Sequence, residues 1–148
     1  VTGGEPLEHL GIAGLLEQAV TRWERVEVET SGLEAPPLAH PRLFYNVSPK
    51  LPSVTMRWEM TWRHVADWLA NPHATFKIVV SDPPDLADAL RLIAEHELPP
   101  ARVMLMPEGL TEEMLHSRAL EIAEACKRAG FRMSPRLHIW LWGARRGV

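Results

Sequence analysis

Apolar and polar positions along the chain switch between a helical and an extended rhythm, and the switches mark out its elements. In "HLGIAGLLEQAVTRW" the positions Leu10, Ile12, Leu15, Leu16, Ala19 and Trp23 fall near one helical face. "RVEVETSG" reads as a short strand ending at Ser31-Gly32, and "LEAPPLAHP" follows as a link whose prolines forbid a long helix. "RLFYNVSP" is a second strand, stopped by Pro49. "TWRHVADWLAN" predicts a helix with Thr61 as its N-cap and Asn71-Pro72 as its stop. "TFKIVV" is a third strand closed by Ser81-Asp82. A helix starting at Asp82-Pro83-Pro84 turns Leu86, Ala89, Leu90 and Ile93 inward. "ARVMLMPEG" is a fourth strand breaking at Pro107. Thr111 caps "EEMLHSRALEIAEACKRAG", which Gly130 closes. The tail holds one more short strand and an aromatic segment whose pattern fits neither period.

Strands alternating with helices at this spacing predict an α/β fold with a mostly parallel sheet, residues 1–148 forming one domain. The start is unusual. Val1 and Thr2 read as the last rungs of a strand and Gly3-Gly4-Glu5-Pro6 as the turn leaving it. A strand needs its length paired to neighbours, so domains rarely start on a strand's final residues.

Composition narrows the partners more than the fold. The 148 residues are 46% apolar and 24% charged, and the net charge of −3 gives no broad reason to expect nucleic acid. The terminal cluster Arg136, Arg145 and Arg146 reads as solubilising. The single cysteine, Cys126, lies in an amphipathic run and reads as a small buried residue. One thiol excludes an intrachain disulfide and any multi-cysteine metal site built from this chain alone. No histidine pair shows zinc-site spacing on a helix, and His138 reads as packed between Leu137 and Ile139. Trp58, Trp62, Trp140 and Trp142 have rings able to stack on a planar ligand, but read first as core residues. With no leader and no membrane-length apolar run in the sequence, a cytoplasmic location and no membrane partner are the expectation.

Ligand sites of parallel α/β proteins gather where strand ends meet their loops. Four unusual segments occupy such ends: Thr2-Gly3-Gly4-Glu5-Pro6, Glu29-Thr30-Ser31-Gly32, Ser48-Pro49-Lys50 and Met106-Pro107-Glu108-Gly109. If the strands are parallel, these loops face one mouth.

"TGGEP" after a strand resembles the Gly-Gly-Glu-Pro motif of radical S-adenosylmethionine enzymes. "ETSG", "SPK", "FKIVV", "MPEG" and "RLHIWLWGARRGV" follow in the order seen in 7-carboxy-7-deazaguanine synthases, of the queuosine and deazapurine pathway. The resemblance implies that Gly3, Gly4 and Glu5 meet the ammonium of S-adenosylmethionine, and that Ser48, Pro49 and Lys50 line the same cofactor. Lys50 would face its carboxylate. It implies substrate contacts at Thr2 and along Met106, Pro107, Glu108 and Gly109. Met106 replaces a more polar residue often found in relatives. The chain-terminal carboxylate of Val148 is a further candidate, for the aminopyrimidinone ring.

The resemblance also implies that the chain is the carboxyl-terminal part of a larger, partial TIM-like barrel. It implies a lyase converting 6-carboxytetrahydropterin to 7-carboxy-7-deazaguanine with loss of ammonia. The cofactors would be S-adenosylmethionine, a [4Fe-4S] cluster and Mg2+. The CxxxCxxC cluster loop and the magnesium residue belong to a part this sequence does not contain, so no catalytic or metal residue is assigned here. The isolated chain is expected to be inactive and to bind no cofactor by itself. A homodimer or similar assembly would cover its open sheet edge. The competing readings are a non-catalytic nucleoside- or pterin-binding module and a structural remnant.

Overall fold

β-Branched and aromatic residues, spaced so that every second side chain faces the same way, form the sheet. The computed structural model describes residues 1–145. Its strands are β1 (Val26–Thr30), β2 (Leu43–Val47), β3 (Ala74–Val80), β4 (Val103–Pro107) and β5 (Arg132–Met133), hydrogen-bonded in chain order. The pairs β1–β2, β2–β3 and β4–β5 run parallel, with Glu29 opposite Asn46 and Asn46 opposite Thr75. Parallel neighbours need long crossovers, and helices supply most of them. The helices are α1 (Ile12–Arg22), α2 (Val65–Ala70), α3 (Pro83–Glu95), α4 (Glu112–Ala129) and α5 (Leu137–Trp142), of which α2, α3 and α4 each bridge two strands. The predicted α/β class is the observed one. No helix among the described residues is long and apolar enough to cross a membrane.

The chain divides into two compact units, Val1–Phe76 and Lys77–Val148. In the first, β1 and β2 are joined by the proline-rich link instead of a helix. Burial raises the Tyr45 phenol to about 12, and its hydroxyl donates to Leu38 O at 2.8 Å, tying the link down. Tyr45 also meets Trp68 edge-on at 5.0 Å between ring centroids, in a core with Leu16, Val28, Leu43 and Phe76. The other face of these strands is polar and half-exposed. There the Asn46 amide donates to Glu29 at 3.0 Å, and Arg25 lies 3.9 Å above the Phe44 ring. Val1 adds one parallel rung outside β1, its N donating to Glu27 O at 2.6 Å and its O accepting from Glu29 N at 3.0 Å.

Several expectations are corrected here. Helix α1 begins only at Ile12, so its buried stripe is Ile12, Leu16, Ala19 and Val20, while Leu10, Leu15 and Trp23 are exposed. Thr61 is not a helix N-cap: it ends a 3-10 turn, Trp58–Thr61, and α2 starts later, at Val65.

In the second unit the caps are as predicted. The Asp82 carboxylate accepts from Asp85 N at 2.9 Å, Thr111 Oγ1 accepts from Met114 N at 3.2 Å, and Gly130 closes α4 at φ 73°. Helix α3 buries Leu92 beside Leu86, Ala89 and Ile93, and Leu90 is only half-buried. Cys126 is buried, and burial pushes its thiol above the usual range. The ambiguous tail segment is the helix α5. It buries Ile139 alone, so His138, Trp140 and Trp142 are exposed, against the packed reading given to them.

Candidate functional site

The loops of the first unit are tied together by one carboxylate. Gly3 and Gly4 have φ of 103° and 58°, a backbone that side-chain-bearing residues avoid, and the space where each Cβ would stand is open. The turn they form delivers Glu5 to the end of β1. There Glu5 Oε1 accepts from Thr30 Oγ1 at 2.7 Å and from Leu7 N at 3.2 Å. Its Oε2 accepts from Ser31 N at 2.7 Å and Ser31 Oγ at 2.5 Å. Burial alone would raise the Glu5 carboxyl. The donors from Ser31, Thr30 and Leu7 together outweigh it and hold the group below the ordinary glutamate value. The carboxylate is ionised at neutral pH, and its lone pairs are engaged by the chain's own donors.

The next loop is fastened to the first. Ser48 N donates to Thr30 O at 2.7 Å, extending the sheet pairing past the end of β2. Pro49 is buried, and Ser48 and Lys50 are half-buried. Both backbone polar groups of Lys50 are held by side chains: its N donates to Thr61 Oγ1 at 2.8 Å, and its O accepts from Trp62 Nε1 at 2.8 Å. Gly32 lies against the same 3-10 turn. At φ 87°, a Cβ there would stand 2.8 Å from Thr61 O.

These contacts frame a cleft of about 460 Å³ whose walls include Ser31, Lys50, Thr61, Arg57, Arg63 and Glu8. Its lining mixes the cations Lys50, Arg57 and Arg63 with the hydroxyl residues Ser31, Thr55 and Thr61 and the carboxylates Glu8 and Glu34, which suits a zwitterionic small molecule. The size is within the usual range for ligand clefts. Thr2 is exposed at the start of the glycine turn.

The Met106-Pro107-Glu108-Gly109 loop ends β4 in the second unit. Met106 is half-buried, Pro107 and Gly109 are buried, and Glu108 N donates to Val80 O at 2.8 Å. Two arginines pin this loop. Arg118 Nη1 donates to Glu108 O at 2.6 Å and to its carboxylate at 2.5 Å, and Arg136 Nη1 donates to Gly109 O at 2.9 Å. Arg136 therefore braces a loop, correcting its reading as part of a solubilising terminus. Val148 lies outside the described residues. Among the described residues no three His, Cys, Asp or Glu side chains come together as a metal site.

Sequence reasoning missed Thr61 and Trp62 as braces of Lys50, and Arg118 and Arg136 as braces of the β4 loop. Thr61 did carry a signal, a lone hydroxyl ahead of an aromatic run, but a helix cap explains that signal equally well.

The arrangement defines a parallel α/β protein in which loops at the carboxyl ends of β1 and β2 border one cleft. No protein-family model matches the sequence. Among curated proteins it is 40% identical, over 152 residues, to the 7-carboxy-7-deazaguanine synthase of Pyrobaculum aerophilum, covering 99% of this chain and 66% of that protein. It is 33% identical, over 169 residues, to the 7-carboxy-7-deazaguanine synthase of Halobacterium salinarum, covering 96% of this chain and 63% of that protein. The chain belongs to the 7-carboxy-7-deazaguanine synthase family, and it spans roughly two thirds of the length of these relatives.

Proposed function

We propose that this chain contributes the wall that holds the amino-acid end of S-adenosylmethionine in a 7-carboxy-7-deazaguanine synthase. That enzyme would act on 6-carboxytetrahydropterin with loss of ammonia. One observation carries the reading: Ser31, bonded to Glu5, and Lys50 line the same cleft. The residues present suit the group. Gly3 and Gly4 leave open space above their backbone, so carbonyl oxygens there can approach an ammonium. The Glu5 charge is bonded to Ser31 at the cleft wall, and Lys50 is the cation for the carboxylate. Bound beside a reducing cluster, S-adenosylmethionine supplies the radical chemistry of its superfamily. This chain's part is to bind and orient it.

The same residues do not suit an iron–sulfur cluster. Three thiolates are needed and the sequence has only Cys126, which is buried and donates to Arg132 O at 3.4 Å. The β4 loop, with Met106, Pro107, Glu108 and Gly109, and Thr2 remain the proposed pterin contacts.

Calorimetric titration of the complete synthase, this chain together with the cluster-bearing part, tests the reading. S-Adenosylmethionine should bind at least roughly tenfold more tightly than 5′-methylthioadenosine, which lacks the amino-acid end, because each charge-assisted contact is worth about 1.5–3 kcal/mol. Equal affinities would remove the proposal.

A further inference from the structure

We infer that Thr61 and Trp62 are positioning residues for Lys50, fixing the point from which its ammonium reaches into the cleft. The inference rests on the cofactor reading above and extends it to residues that touch no reacting atom. Lysine is a flexible four-carbon stem, so where its charge is offered depends on how firmly its backbone is held. Lys50 lies in a loop, outside any strand or helix, where backbone donors and acceptors must find other partners. Two consecutive side chains provide them: Thr61 Oγ1 takes the Lys50 N–H at 2.8 Å, and Trp62 Nε1 gives to the Lys50 carbonyl at 2.8 Å.

Both holders are buried, at 4% and 3% exposure, so water does not compete for these bonds. The Thr61 hydroxyl is also committed in orientation. Its own hydrogen goes to Trp58 O at 2.6 Å, which leaves the oxygen to accept from Lys50. A hydroxyl that only filled space would need neither bond. Thr61 also abuts the opposite wall: its carbonyl stands 2.8 Å from the Cβ position of Gly32, next to Ser31. One residue thus sets the distance between the lysine and the serine–glutamate side of the cleft.

The test is a double-mutant cycle on S-adenosylmethionine affinity in the complete synthase that contains this chain, with Lys50→Ala, Thr61→Val, Thr61→Ser and Trp62→Phe. Thr61→Val and Trp62→Phe should each weaken binding roughly tenfold, and Thr61→Ser, which keeps the acceptor, should stay within about threefold of the parent. In the Lys50→Ala background neither Thr61→Val nor Trp62→Phe should weaken binding further, because each acts through the lysine. Amide exchange at Lys50 gives a readout that needs no ligand: Thr61→Val should speed it and Thr61→Ser should not. If Lys50→Ala weakens binding but Thr61→Val and Trp62→Phe do not, the positioning role is wrong. The role also fails if they weaken binding as much without the lysine as with it. If Lys50→Ala binds like the parent, the cofactor reading falls and takes this role with it. The exchange data then still report whether the hydroxyl holds the loop.

Discussion

Replacing Gly32 with alanine should be among the most damaging single-methyl changes in this chain, lowering stability by about 3 kcal/mol and the melting midpoint by roughly 6–12 °C. Two costs act together. The φ of 87° strains any side-chain-bearing residue, and the new Cβ would stand 2.8 Å from the backbone oxygen of Thr61 and 3.0 Å from Val47 Cγ1. A backbone carbonyl cannot swing aside as a side-chain tip can. Gly109 offers the contrast. There a Cβ would meet Leu115 Cδ2 at 2.9 Å and Met114 Cβ at 3.2 Å, with no unusual φ and no backbone atom among its nearest contacts, so the loss should be smaller. Thermal unfolding of Gly32→Ala and Gly109→Ala side by side checks this, and equal midpoints would contradict it. The damage at Gly32 should also reach the cleft, since Ser31 and Thr61 both border it.

Glu5→Gln should cost about 2 kcal/mol at neutral pH, because the amide nitrogen of glutamine would face a donor that the carboxylate now accepts. The Ser31 amide and hydroxyl both point at one Glu5 oxygen, and the hydroxyl can turn where the amide cannot. The pH dependence follows from the direction of the shift. The folded protein holds Glu5 below the ordinary glutamate value, so its contribution is complete above that value. It is lost as pH falls through the depressed folded value. Parent and Glu5→Gln should therefore differ most at neutral pH and converge in acid, as denaturant midpoints measured across the acid range would show. A difference that grew on acidification would contradict the assignment.

Most of the fold was legible because local rules and tertiary packing agree in it. β3 is a run of β-branched and aromatic residues, and α3 and α4 open on Asp82 and Thr111, whose side chains make the cap bonds their positions suggest. The reading of α1 held for Ile12, Leu16 and Ala19 and failed at Leu10, Leu15 and Trp23. Leu10 precedes the helix, which starts after Gly11, Trp23 is its C-cap, and the buried stripe continues through Val20, away from Leu15. The glycine turn, Ser31, Ser48 and Lys50 were visible because motif residues cluster at strand ends. What holds them was not visible. Thr61 lies 11 residues from Lys50, and Arg136 lies 27 from Gly109. No local pattern encodes a bond across that distance, so Thr61 read as a cap and Arg136 as surface charge.

The most direct test of the site is an NMR titration of the proposed complete synthase with S-adenosylmethionine, following backbone amides of this chain. If the loops form one cofactor wall, the amides of Gly3, Gly4, Ser31 and Lys50 should shift together and saturate at a single ligand concentration. Shifts that leave these four unmoved, or that saturate at different concentrations for the glycine turn and for Lys50, would contradict it.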